Sequence, residues 1–470
     1  WLRGELAQYV RAALDNRTFY DRGWVRPEFV RRVLAEHSTG VRDWGEQIWT
    51  MLVLEVWARL VLDRSFDRDA RMEAFLQRPE RARPAFLPPL PPLRTLQLGM
   101  EWFPERAGGL NRVYYELTRH LPDVNVEVHG LVAGTDRVAR ESQGLIKAFA
   151  PHATLLGPRL LAARRLGKLL LRADPHMVVV SHFALYTAPL LTFLENHPLV
   201  VHFHGPWGLE GKIERQSDLV VRTKHTIERK IYARADAFIV LSPPFADILV
   251  QQFGIPREKI HVIPGGVDVP RYAITDSRAS CRQRLGWPTD RPIVLSVRRL
   301  TRRMGLDKLI TATLAIRAQI PDVLVLIAGR GPIGAELQHQ IVSLGLQDHV
   351  RLVGFVPDDD LPAAYRAASL TVVPTQELEG FGLIVAESLA AGTPCLVTPV
   401  GGLKAAVEKL SSTLILQGTD PASIADGVVG ALTGALPLPD AAACLDFARR
   451  NYDWPVIVSQ IRTVYETTQR

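Results

Sequence analysis

From Leu96 onward, short runs of β-branched and aliphatic residues alternate with longer stretches of helical spacing. A first series comprises Leu96–Gly99, Val126–Val132, Met177–Val180, Leu199–Phe203 and Ala237–Leu241. A second comprises Ile293–Val297, Val323–Ala328, Arg351–Val353, Leu370–Val373, Cys395–Thr398 and Leu414–Leu416. Near-continuous apolar strands alternating with helices indicate parallel sheets covered on both faces. The series are separated by Ile263–Pro292 and predict an α/β chain with two doubly wound parallel-sheet domains facing a cleft. Such sheets bind ligands at the carboxyl ends of their strands. A last helix is predicted from about Ala441 to Arg470, long enough to lie across both domains.

The first part of the chain has a different texture. Leu2, Leu6, Tyr9, Val10, Ala13 and Leu14 keep near-helical spacing, Pro27 can open a second helix, and Ile48, Met51, Leu52, Trp57 and Val61 line a third. Residues 69–93 are basic and rich in proline, which favours an extended linker. The expected organisation is a helical segment over 1–68, a linker over 69–93, a first domain over 94–275, a second over 276–450, and a helix over 451–470 crossing back to the first domain.

Composition narrows the class. Of 470 residues, 47% are hydrophobic and 22% charged, as in folded soluble proteins. The net charge of +7 suits anionic ligands or an anionic membrane surface and does not call for nucleic acid. Cys281, Cys395 and Cys444 stand far apart without zinc-type spacing, so they read as buried reduced thiols of a cytoplasmic protein. No uncharged apolar run reaches the ~18 residues of a membrane span. The chain opens at Trp1 rather than Met and reads as a piece of something longer.

The chemistry concentrates at the predicted strand ends. Gly108 and Gly109 enter a helix after the first strand, where backbone N–H groups can approach an anion. Arg298, Arg299, Arg302 and Arg303 crowd the end of Ile293–Val297, a pattern suited to clamping a diphosphate. Gly329 makes a turn after the next strand, and Gly354-Phe355 a loop that can hold a flat base. Glu379-Gly380-Phe381-Gly382-Leu383 leads into a helix carrying Glu387, followed by Gly392-Thr393-Pro394. The N–H groups of Phe381, Gly382 and Leu383 would point at an anion with help from the helix dipole.

Over about 95–470 these motifs resemble the family 4 retaining glycosyltransferases of the GT-B fold. The Glu379–Glu387 stretch with Ala391-Gly392-Thr393-Pro394 fits that family's signature of two glutamates with seven residues between them. Val262-Ile263-Pro264-Gly265-Gly266-Val267-Asp268, Ala328-Gly329-Arg330-Gly331-Pro332 and Ala235-Asp236-Ala237-Phe238-Ile239-Val240-Leu241-Ser242 support it. The resemblance implies that Glu379 contacts donor-sugar hydroxyls, Glu387 holds the nucleotide ribose, and Phe381, Gly382 and Leu383 offer backbone to the phosphates. It makes Arg299 the diphosphate arginine, Gly108 and Gly109 the amino-terminal glycine loop, and His204 the active-site histidine. His202 reads as a strand-end histidine without chemistry, while for His182 both readings stay open. The family's lysine before the glycine is replaced by Met304, and Arg303 is the candidate for the missing charge. A nucleotide-diphosphate sugar is then the co-substrate, with no cofactor and no metal, and the acceptor is a glycan or a lipid-linked molecule in polysaccharide or glycoconjugate synthesis. The rival readings are a nucleotide-binding pseudoenzyme or scaffold, and a GT-B-type epimerase or phosphorylase.

Three further features complete the reading. Asp358-Asp359-Asp360 is expected to cap and open a helix rather than hold a metal. The stretch 159–172, with Arg159, Arg164, Arg165, Lys168 and Arg172 among leucines, suits either a packed surface helix or a peripheral contact with the inner face of the plasma membrane. Residues 1–68 resemble the carboxyl end of glutamine-hydrolysing asparagine synthetases, through Trp1-Leu2-Arg3-Gly4, Phe19-Tyr20-Asp21-Arg22-Gly23 and Leu54-Glu55-Val56-Trp57. The ATP-binding loop and the glutaminase cysteine of those enzymes are absent from this stretch, so no activity carries over.

Overall fold

A computed structural model describes residues 7–15, 17–58, 92–103, 105–106, 108–213 and 216–469. The chain divides into two compact units, Trp1–Pro91 and Pro92–Arg470. The first contains the helices Ala7–Leu14, Arg17–Asp21, Pro27–Thr39 and Gly45–Trp57. Pro27 stands at the start of its helix, where its missing N–H costs nothing, and Gly40 ends that helix in the left-handed conformation. Val10, Leu14, Phe19, Val30, Val33, Ile48 and Met51 form the unit's own core. Glu55 is buried there and accepts from Arg22 at 2.7 Å. Most of the expected proline-rich linker lies outside the described residues.

The second unit holds both sheets. The strands are β1 (Leu93–Glu101), β2 (Val126–Ala133), β3 (Ile146–Ala150), β4 (Val178–Ser181), β5 (Leu199–Phe203), β6 (Ala237–Val240), β7 (Ile260–Val262), β8 (Ile293–Val297), β9 (Leu324–Ala328), β10 (Val350–Gly354), β11 (Leu370–Val373) and β12 (Cys395–Val397). The first sheet runs β3-β2-β1-β4-β5-β6-β7 and the second β10-β9-β8-β11-β12. All pairings are parallel. In each sheet the chain reverses direction beside its first strand, β1 or β8. The crevice opened there brings the loops after these strands to the ligand side.

Several details differ from the sequence reading. Strands β3 and β7 lie at the edges of the first sheet, and their short, partly exposed runs give a weak apolar signal. Leu414–Leu416 forms no strand: a 3₁₀ turn over Ser412–Leu414 leaves a single bridge between Ile415 and Val397. Leu93, placed in the expected linker, already pairs with Val126 in β1. The final segment is two helices, Ala441–Asn451 and Trp454–Gln469, broken at Tyr452-Asp453. The break matters because the chain changes domain there. Val267 donates to the Tyr452 carbonyl at 2.8 Å, so the two passages between domains run side by side. Beyond the break, Trp454, Ile457, Val458, Ile461 and Tyr465 share a core with strands of the first sheet.

Candidate active site

On the first sheet's side of the cleft, Gly108-Gly109 opens the helix Gly109–His120, which no side chain caps. A Cβ at Gly109 would meet nothing within 4 Å, and at Gly108 only Asn111 Nδ2 at 3.6 Å. Internal packing therefore does not demand glycine here, and the space beside the helix N-terminus is open. Neighbouring Pro104 and Ala107 lie outside the described residues.

At the ends of β4 and β5 three histidines lie together. His182 Nδ1 is 3.1 Å from His204 Nε2, and His182 Nε2 is 2.8 Å from Gln97 Oε1. His202 Nε2 lies 2.8 Å from the Tyr465 hydroxyl, tying β5 to the last helix. Burial pushes all three below the ordinary imidazole range, His204 to about 4, so the cluster is neutral near pH 7. Candidate ligand atoms of the three lie within 4.8 Å of one another. With both nitrogens of His182 hydrogen-bonded, it has no free lone pair for a cation. His204-Gly205-Pro206 then leads into the helix Trp207–Ile213, whose first amides, Trp207 and Gly208, donate to Glu228 at 2.8 and 3.1 Å. Burial raises Glu228 to about 7 even though those amides and the Tyr232 hydroxyl draw it down.

On the other side, the four arginines after β8 separate into distinct roles. Arg298, its side chain 7% exposed, donates to both Glu379 and Thr375, and its Nε has no partner. Arg299 is exposed and makes no ion pair among the described residues. Arg302 pairs with Glu336 on the surface. Arg303, the candidate for the missing charge, donates to the Leu378 carbonyl at 2.7 Å. Leu378 has φ 47°, a left-handed conformation that costs a non-glycine residue about 1–3 kcal/mol and lasts only where neighbours enforce it. Arg303 thus braces the loop that presents Glu379. Met304 is 5% exposed and packs in the core of the second domain.

The remaining candidates divide between cleft and core. Gly329 has φ 143°, and a Cβ there would sit 1.8 Å from the Arg298 carbonyl, so close loop packing demands the glycine. Phe355 is 54% exposed beneath the guanidinium of Arg330. The Phe381 ring is buried against Tyr452, leaving only its backbone for a ligand. Gly382 precedes the helix Leu383–Ala390, which has no side-chain cap. Glu387 is buried on that helix and accepts from the Tyr365 hydroxyl at 2.7 Å. Asp360 occupies the position before the helix Leu361–Ala367 without making the expected cap bond. Instead Asp358, Asp359 and Asp360 face Arg112, Arg271 and Arg284 respectively.

Phe245 brings the two sides together. A Cβ on Gly205 would lie 3.8 Å from its Cε2, and one on Gly380 only 2.7 Å from the same atom. The loops carrying His204 and Glu379 therefore abut one ring. Nearby, Leu209 and Lys212 face Glu377 and Leu378 across the cleft mouth. Arg112, on the glycine-loop helix, reaches Asp358 at 3.1 Å, the Tyr272 hydroxyl at 3.2 Å and Glu387 at 3.8 Å. Sequence reasoning missed Arg112, Phe245, Gln97 and Glu228. Arg112 carries the one readable signal among them, a cation three positions after a glycine pair.

Comparison with known proteins identifies the family and the fold. Residues 107–271 match the family model described as Glycosyltransferase Family 4, and residues 277–443 that described as Glycosyl transferases group 1. Residues 1–59 match the Asparagine synthase model. A D-inositol 3-phosphate glycosyltransferase of Streptomyces avermitilis is 31% identical over 345 residues, covering 68% of this chain and 74% of that protein. One from Salinispora tropica is 28% identical over 407 residues, covering 76% and 81%. The Anabaena protein HepE, solved with UDP and glucose, shares the fold with a TM-score of 0.64 at 19% identity, over 80% of this chain and all of that one. The chain belongs to the family 4 glycosyltransferases and has their GT-B fold of two parallel-sheet domains.

Proposed function

We propose that this glycosyltransferase transfers its sugar with retention of anomeric configuration and without a metal, from a nucleotide-diphosphate donor to a glycan or lipid-linked acceptor. The observation that carries the proposal is that the loops carrying Glu379 and His204 converge on Phe245 through Gly380 and Gly205, with an arginine-lined strand end and two helix N-termini opening on the same cleft. Glu379, oriented by Arg298, receives donor-sugar hydroxyls. Glu387 takes the ribose. Arg299, the open Gly108-Gly109 loop and the amides of Phe381–Leu383 meet the charge that develops on the leaving diphosphate. Gly329 shapes the neighbouring loop, and Phe355 offers its exposed ring to the base. Preorganised donors of this kind stabilise a departing anion without a cation. The acceptor attacks on the face the diphosphate leaves, and the diphosphate takes its proton, so the protein supplies no nucleophile. The UDP held by the Anabaena neighbour supports a nucleotide of this class.

Membrane contact through the helix Leu156–Ala173 is part of the proposal. Among the described residues no helix is long and apolar enough to cross a membrane. Leu161, Arg165, Leu169 and Arg172 are exposed at helical spacing, a face suited to lying on an anionic surface. Arg164 and Lys168 turn inward over the Phe193 ring.

The test offers the protein UDP-, GDP- and ADP-sugars with and without chelator, and reads nucleoside diphosphate release together with the anomeric configuration of the product. Transfer with retention, unaffected by chelator, is expected. An inverted product, or activity lost on chelation, would overturn the mechanism.

A further inference from the structure

The hydrogen bonds behind His204 run in one direction only, because they end on a group that can only accept. Thr95 Oγ1 lies 3.1 Å from the backbone carbonyl of Glu127, so its proton is committed there and its oxygen must accept. Gln97 Nε2 donates to that oxygen at 3.0 Å, which turns the amide oxygen of Gln97 towards His182. That oxygen lies 2.8 Å from His182 Nε2, so this nitrogen carries a proton and His182 Nδ1 does not. The lone pair on Nδ1 then accepts from His204 Nε2 at 3.1 Å. Gln97, Thr95 and His182 are buried, whereas His204 is half-buried, and its Nδ1 has no partner among the described residues.

We infer that Gln97 and His182 are positioning residues that fix His204 as the Nε2–H tautomer, so that it presents an unprotonated Nδ1 to a sugar hydroxyl in the cleft. The inference rests on the reading of His204 as a cleft residue. Its content is polarity: His204 receives a hydrogen bond from the sugar and does not donate one. The depressed basicity of the cluster supports this, since a neutral ring keeps its lone pair at working pH. The network has a second branch. His202, its ring 4.5 Å from that of His182 and 6.2 Å from that of His204, bonds to Tyr465 on the last helix and so ties the cluster to that helix.

The test begins with ¹⁵N-edited NMR of the unaltered protein. The expected spectrum shows His204 protonated at Nε2 and His182 protonated at Nε2. A proton on His204 Nδ1, a charged His204 at pH 7, or a stoichiometric metal ion in the purified protein would each overturn the inference without any variant. Gln97→Leu removes the acceptor and frees His182 to move its proton to Nδ1. His204 should then change tautomer, and kcat should fall about tenfold, the equivalent of ~1.4 kcal/mol, with donor KM within about twofold. Gln97→Glu keeps an acceptor at the same place and should restore the tautomer and most of kcat. A Gln97→Leu protein with unchanged tautomer and rate would overturn the inference. His204→Ala tests the underlying reading separately: full turnover in that variant removes His204 from the site, whatever its tautomer. Slow donor hydrolysis identifies the hydroxyl. If Gln97→Leu slows transfer but not hydrolysis, the hydroxyl belongs to the acceptor; if it slows both, to the donor sugar.

Discussion

Arg112 lies 3.8 Å from the Glu387 carboxylate, linking the helix behind the glycine loop to the glutamate proposed to hold the ribose. With Asp358 at 3.1 Å on the same guanidinium, one side chain ties the first domain to two elements of the second. Burial works against the charge of Arg112, but Glu387 first, then Tyr272 and Asp358, outweigh it and raise its basicity above the ordinary arginine value. Breaking a fully buried pair costs ~3–5 kcal/mol; with Arg112 at 18% side-chain exposure, about 1–3 is expected for Arg112→Met. Thermal unfolding of Arg112→Met, Glu387→Gln and the double variant checks the coupling. The double variant should lose less than the sum of the two, and strict additivity would show that the groups are not coupled.

Glu379→Gln should keep the fold and lose most of its turnover. Glu379 sits on a loop and supports no part of the apolar core, so its loss should appear in kcat more than in donor KM. Arg298→Lys should give a milder form of the same defect, because Nη2 alone donates to both Glu379 and Thr375, and an ammonium keeps the charge but not the rigid placement at the end of the guanidinium. Steady-state kinetics with donor varied through its KM would distinguish these outcomes. A Glu379→Gln enzyme within about twofold of the parent would remove the carboxylate from the reaction.

The arginines yield a separation by ligand. Arg299, exposed and unpaired, should on replacement by Ala weaken nucleoside diphosphate much more than nucleoside in a calorimetric titration. Arg303→Ala should weaken the two about equally and slow turnover, because it frees the Leu378 loop instead of removing a phosphate contact. Met304→Lys should destabilise, since it places an ammonium in a packed apolar site. A selective diphosphate defect in Arg303→Ala would restore the phosphate role that the sequence alone suggested.

Much of the fold was legible because parallel strands buried on both faces leave unbroken apolar runs, as at Leu199–Phe203 and Leu370–Val373. Edge strands β3 and β7 lack that burial, and so lack the signal. The glutamates and arginines of the site were legible because their spacing is local. The partners that orient them were not. Gln97 and His182 are 85 positions apart, and Arg298 and Glu379 are 81 apart. Nothing in the local pattern of either side says which will meet. Burial also separated roles within a single stretch: the two arginine pairs after β8, Arg298-Arg299 and Arg302-Arg303, look alike in sequence, yet only Arg299 is left facing solvent without an acid among the described residues.

Acid should destabilise the protein through its histidines. Burial puts the folded-state values of His182, His202 and His204 below the ordinary 6.5, His204 at about 4, so below 6.5 the unfolded chain binds more protons. Their contribution is present above pH 6.5 and is lost as pH falls towards 4. Glu228 acts in the opposite sense: raised to about 7, it makes the folded state bind the extra proton, and its contribution is lost as pH rises from 4.5 to 7. In Glu228→Gln the imperfect amide contact adds a constant offset, while the opposing slope disappears. The difference in Tm between variant and parent should therefore rise from pH 4.5 to 7. A flat difference would mean that Glu228 titrates as an ordinary surface carboxylate.

The helix Leu156–Ala173 decides the membrane question through its outer face. Arg164 donates to the Pro189 carbonyl and stacks over Phe193 with Lys168, so these two cations stabilise the fold and are poorly placed to meet lipid. Arg165 and Arg172 are exposed on the same face as Leu161 and Leu169, which are 68% and 66% exposed. Each outward cation near an anionic surface contributes about 1 kcal/mol, and leucines inserted beside them add apolar burial. Arg165→Ser with Arg172→Ser should therefore reduce co-sedimentation with phosphatidylserine-containing vesicles by an order of magnitude or more while leaving Tm unchanged. Leu161→Ser with Leu169→Ser should weaken the same binding even at low salt, where the electrostatic part remains. Arg164→Ser with Lys168→Ser should do the reverse, lowering Tm with little effect on vesicle binding. Equal vesicle binding in all three double variants would show that this face does not contact membrane and that its leucines are simply solvent-exposed.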